Sequence, residues 1–125
     1  MANQIRIPPF VNSAHSGTKG LFKHMNYRVS AGGPNAYGRH RILSVIYTSD
    51  FVVPAGAINK SYIDEFGPPM SLKRFQKMLR FIDTNIKNYQ NKTADGWIKC
   101  VDKWSEDADW IIETYGAEHG YVFSD

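Results

Sequence analysis

Four histidines, His15, His24, His40 and His119, are the residues of this 125-residue chain best suited to acid–base chemistry near neutral pH. Two of them meeting across a basic hairpin could work as an acid/base pair on a phosphodiester. Lys23, Arg28, Arg39 or Arg41 would then bind the phosphate. The pattern is generic, because any basic hairpin offers the same residue types. It stays as the one enzymatic alternative. Other catalytic signatures do not occur. There is no phosphate loop, no dinucleotide-binding glycine pattern after a strand, no nucleophile elbow and no His-Glu-x-x-His. One cysteine, Cys100, and scattered histidines give none of the usual zinc spacings. No metal and no cofactor is therefore expected. Asp102, Glu106, Asp109 and Glu113 form an acidic stripe that reads as a solvated helix face. The stretch SAHSGTKG mixes anion-nest residue types, but its spacing matches no phosphate loop and it reads as a polar linker.

The remaining chemistry is recognition. Over residues 72–89, Leu72, Phe75, Met78, Leu79, Ile82, Ile86 and Tyr89 share one helical sector. Lys73, Lys77, Arg80, Thr84 and Lys87 fall opposite, a stripe suited to phosphates or to acids. Phe81 belongs to neither sector, and an aromatic beside cations can stack on a base or on a partner's guanidinium. Over residues 96–115, Trp97, Val101, Trp104, Ala108, Ile111 and Tyr115 repeat at spacings of four and three, which is a core seam. Cys100 lies beside it as a small apolar residue. Trp110 projects away from that seam near Lys103, Glu106 and Glu113, as an interface anchor would. Cover by the tail aromatics Tyr121 and Phe123 is the competing reading.

The net charge of +3 conceals a strong asymmetry. Residues 1–49 carry six cations and no acid, whereas residues 93–125 carry eight acids and two cations. Such a layout bears on association, either with a partner or between the two ends of one molecule. The composition, 42% hydrophobic and 22% charged, is that of a folded chain and excludes a disordered or fibrous one. No apolar run is long enough to span a membrane, and MANQIRIPPF lacks the apolar core of a signal peptide. With a single cysteine, these features predict a cytoplasmic protein.

The elements that must position these residues read as one α+β domain over 1–125. Residues 1–20 are expected as an extended arm, with Pro8 and Pro9 confining any strand to an edge. Residues 21–53 read as a β-hairpin, because 21–30 alternate and 39–53 are rich in Ile, Val, Tyr, Phe and Thr. A short helix is expected over 57–66, stopped by Gly67, Pro68 and Pro69. Two long amphipathic helices follow over 71–90 and 95–116. Ser71 caps the first, and Thr93 or Asp95 the second. A small antiparallel sheet would then pack against an αα-hairpin.

On these grounds the chain is expected to be a small non-enzymatic binding protein. It would be an inhibitor or adaptor docking on a larger protein or nucleoprotein, of the kind common in phages and mobile elements. Trp110, Phe81 and Lys103 are its candidate contact residues. The alternative is direct nucleic-acid binding, with Arg28, Arg39, Arg41, Lys73, Lys77 and Arg80 on phosphates and Tyr27, Tyr37 or Phe81 stacking on bases. A further alternative is a structural subunit whose N-terminal arm orders on a neighbour.

Overall fold

A computed structural model describes residues 3–13, 19–92 and 94–121. His15, Thr93 and Phe123, named above, lie outside the described residues. The elements run β1 (Gln4–Arg6), α1 (Leu21–His24), α2 (Ala36–Thr48), β2 (Asp50–Val52), α3 (Lys60–Asp64), α4 (Leu72–Tyr89) and α5 (Asp95–Tyr115). A 3-10 turn follows at Gly116–His119.

Helix and strand are both present, but the sheet departs from expectation. Its two strands are parallel, with Gln4 opposite Asp50, Ile5 opposite Phe51 and Arg6 opposite Val52. The hairpin expected over 21–53 does not form. Residues 21–24 make one helical turn, and most of the stretch expected as a strand from 39 onward lies in α2. Strand propensity reflects fit to a half-buried pleated surface, and tertiary context overrides it. Leu43, Ile46 and Tyr47, spaced by three and one, put three buried side chains on one helical face. A short run apolar on both sides does not distinguish a buried strand from a buried helix. The Asn35 side chain caps the helix by accepting from the Gly38 N–H at 2.9 Å, a contribution of about 1 kcal/mol. With α1 and α2 lying between the strands, the crossover is long enough for parallel pairing.

The segment expected as an extended arm is partly built into the body. Ile7 and Val11 are buried. The Asn59 amide donates to the carbonyls of Pro8 at 2.9 Å and Val11 at 2.8 Å.

The two long helices pack antiparallel. Tyr89 at the end of α4 stacks on Trp97 at the start of α5. Phe75 near the start of α4 meets His119 and Tyr121 just beyond the end of α5. Ser71 caps α4 by accepting from the Arg74 N–H at 3.1 Å, whereas Ala94 stands at the N-cap of α5. Phe75, Met78 and Ile82 of α4 and Ile111 of α5 are fully buried, together with Phe22, Leu43, Ile46 and Phe66. No described helix is long and apolar enough to cross a membrane.

One charged side chain runs through this core. Arg74 is 1% exposed. Its Nε donates to the Phe66 carbonyl at 3.2 Å, and Nη1 donates to Ile46 and Ser49, each at 2.7 Å. Nη2 donates to Gly67 at 2.7 Å. Its guanidinium carbon lies 4.0 Å from the centre of the Phe51 ring. Burial pushes the guanidinium down to about 10, with Asp50 opposing the shift, so it stays charged at neutral pH. The planar fork thus ties the end of α2 to the turn after α3. Replacing Arg74 with Met strands four carbonyls and is expected to cost about 3–5 kcal/mol in urea denaturation. Arg74→Lys should recover less than half, because an ammonium presents three donors from one point. A loss below about 1 kcal/mol in Arg74→Met would mean that water replaces the guanidinium.

Candidate binding site

Between α4, α5 and the chain following α1 lies an open groove of about 490 Å³. Tyr27, Val29, Phe81, Tyr89, Trp97, Cys100 and Trp104 form its apolar lining, with Lys23 and Arg28 as its charged members. None of the described residues lining it is acidic. Its aromatic walls are fixed by mutual contact. Tyr89 stacks on Trp97 at 4.7 Å and leans on Trp104 at 5.4 Å. The Lys92 ammonium sits 5.3 Å from the Trp97 ring centre and 5.4 Å from that of Tyr89. Phe81 stacks face to face on buried Phe22 at 3.8 Å. Trp97 nevertheless remains 40% exposed. The Val29 carbonyl on the groove wall accepts from the Lys103 ammonium at 3.1 Å.

A buried ion cluster anchors the groove. Tyr27 donates its hydroxyl to Asp107 Oδ2 at 2.7 Å. Asp107 is fully buried and also accepts from Arg39, with Nε to Oδ2 at 2.8 Å and Nη2 to Oδ1 at 3.2 Å. His40 Nε2 lies 2.9 Å from Oδ1, and the His40 ring stacks on Trp110 at 4.5 Å. Burial, then the charge and hydrogen bond of Asp107, push the Tyr27 phenol far above its ordinary range. Burial alone would lower the Arg39 guanidinium, but the hydrogen bonds and charge of Asp107 outweigh it and the net shift is upward. His40, Glu106 and Asp107 could be assembled into a metal ligand set on distance alone, since their ligand atoms lie within 4.8 Å of one another. The chemistry does not fit. Arg39 already neutralises Asp107 and reaches to 3.9 Å from Glu106, so a cation there would meet a fixed positive charge.

The candidate contact residues separate on this framework. Phe81 lines the groove and Lys103 braces it. Trp110 does not line it. That ring is half-buried, stacked on His40 and set edge-on to Tyr115. Among the nucleic-acid candidates, Arg39 must be withdrawn, because at 2% exposure and paired with Asp107 it has no route to a phosphate. Lys77 is engaged by Glu65 at 2.6 Å. Lys73 and Arg80 share a surface cleft with Lys77, Asp64 and Glu65, a surface of mixed sign. Arg28, Arg41 and Tyr37 are exposed, and the Arg41 guanidinium carbon lies 5.9 Å from the Tyr37 ring centre. The described histidines have separate surroundings. His24 is edge-on to Phe10, His40 is held by Asp107 and Trp110, and His119 Nε2 meets the Tyr47 hydroxyl at 2.7 Å. Trp97, Trp104 and Tyr89 were readable only as core. The signal for Trp97 was its position at the first turn of α5, where a seam residue has little chain above it.

The raised Tyr27 pKa has a defined alkaline consequence. In the unfolded chain a tyrosine ionises near pH 10, whereas folded Tyr27 holds its proton well beyond that. Its contribution is therefore complete below about pH 10 and falls as pH rises further, because the unfolded state then binds fewer protons. The stability advantage of wild type over Tyr27→Phe, measured by urea denaturation, should shrink steadily above about pH 10. A constant difference between pH 8 and 11 would mean that Tyr27 ionises freely in the fold. No protein-family model, curated protein or solved structure matches this chain.

Proposed function

We propose that this chain is a non-enzymatic binding protein, an inhibitor or adaptor, that docks on a partner protein by taking an apolar anchor side chain of that partner into the groove. The observation carrying this reading is the make-up of the groove: seven apolar or aromatic side chains with Lys23 and Arg28, and no acid among them. Clefts walled by aromatics that already brace one another are preorganised, so little ordering free energy opposes an incoming side chain. The cations favour an anchor carried on an acidic stretch, and they speed encounter with it. Of the groove's lining residues, Tyr27 and Cys100 are buried, and the Tyr27 hydroxyl is committed to Asp107.

Selection from a random displayed peptide library against the wild-type protein tests the reading. Recovered peptides should each carry one or two large apolar residues. They should lose about tenfold in affinity for Trp97→Ala, the loss expected when an interface anchor's pocket is opened. Ile58→Ser, at a position 79% exposed and outside the groove lining, should bind them as wild type does. Peptides that bind Trp97→Ala as tightly as wild type would overturn the proposal.

A further inference from the structure

Arg28 belongs to two places at once. It lines the groove, and it also packs against the turn that leads into α2. A Cβ at Gly33 would stand 2.9 Å from Arg28 Cγ, and Arg28 Nη2 lies 3.3 Å from the Gly32 carbonyl. Four residues beyond Gly33 is Tyr37, 71% exposed on the first turn of α2. Arg41 follows one turn later, with its guanidinium beside the Tyr37 ring. No acid occurs in the first turn of α2, so the positive end of the helix is uncompensated by its own side chains. Lys23, Arg28 and Arg41 thus come from a stretch of chain, residues 1–49, that contains no aspartate or glutamate.

Resting on the groove reading, we infer that the partner segment is an acidic peptide arm: its apolar anchor enters the groove, and its carboxylates run along Arg28 to the Tyr37–Arg41 pair. A carboxylate takes bidentate hydrogen bonds from guanidinium. Tyr37 supplies a broad ring against which the arm's chain can lie, at low cost in side-chain entropy. A protein arm is favoured over a nucleic acid because the aromatic faces of the groove are largely consumed by one another. Tyr89 and Trp97 stack together and Phe81 covers Phe22, which leaves room for a side chain rather than for a row of bases. The basic stripe that would extend a phosphate track is also interrupted, since Lys77 is paired with Glu65.

Two labelled synthetic peptides test this. Both carry the same Trp-Leu anchor, followed by an arm of about eight residues, long enough to reach about 27 Å when extended. One arm alternates Asp with Ser and the other Asn with Ser. In fluorescence anisotropy at low salt, the acidic arm should bind wild type about tenfold more tightly than the neutral one. That advantage should vanish near 0.5 M salt. It should fall to about threefold or less in Tyr37→Ala and in Arg41→Glu, both exposed positions whose variants are checked for folding by circular dichroism. Trp97→Ala should weaken both peptides equally. If both peptides bind with the same affinity and both lose it in Trp97→Ala, the groove stands and the acidic-arm inference is wrong. If neither peptide distinguishes wild type from Trp97→Ala, the groove reading fails and this inference fails with it. Tighter binding of an oligothymidylate of about 12 nucleotides, lost in Arg41→Glu, would assign the surface to nucleic acid instead.

Discussion

A single buried cation without a carboxylate in direct contact is the constraint on which this fold depends. The Arg74 guanidinium satisfies carbonyls at Ile46, Ser49, Phe66 and Gly67, groups that belong to the end of one helix and to the turn after another. Helix ends leave carbonyls that need donors, and two such sites pointing inward would be costly without one. Arg74 resolves this from the first turn of α4, whose own N-terminus is closed by Ser71. Its position therefore sets α4 against α2 and β2, and α5 follows by antiparallel packing on α4. The sheet is an accessory to this arrangement: two strands of three residues each carry little stability on their own.

The groove inherits its rigidity from a second buried charge group. Asp107 joins Tyr27, Arg39 and His40, so the loop after α1, the helix α2 and the helix α5 meet at one carboxylate. Buried ion pairs add little net stability over an apolar replacement, but removing one partner leaves the other stranded. That asymmetry suits a site that must hold its walls in one position. The groove wall at Tyr27 cannot move independently of the cluster, because the phenol that faces the groove also closes the hydrogen-bond set of Asp107.

The long helices were legible because α4 and α5 carry sustained periodicity: Phe75, Met78 and Ile82 on one helix, Trp104 and Ile111 on the other. Helix α2 was not, because it is rich in residues that favour strands. Only burial of Leu43, Ile46 and Tyr47 on a common face decides for helix, and burial is a tertiary fact. The roles of Arg39 and Arg74 were illegible for the same reason. Locally each is one cation among many, and what separates them from Arg41 or Arg80 is a partner far along the chain. Phe81 lies off the helical sector of Phe75, Met78 and Ile82, yet it is half-buried against Phe22 at the edge of the core while bordering the groove. Trp110 leaves the seam of α5, but its neighbour His40 comes from α2, whose residues by themselves favour a strand.

The Asp107 cluster also orders events in time. Its partners Arg39, His40 and Tyr27 precede it by 68, 67 and 80 residues. During synthesis, α2 is complete long before the carboxylate that neutralises Arg39 exists. Until α5 arrives, burying that guanidinium would strand an unpaired charge, which disfavours collapse of this face of α2 onto the early apolar segments. A core built from the first half alone would thus leave this face of α2 without its carboxylate, and only α5 supplies the partner that lets Arg39 be buried at low cost.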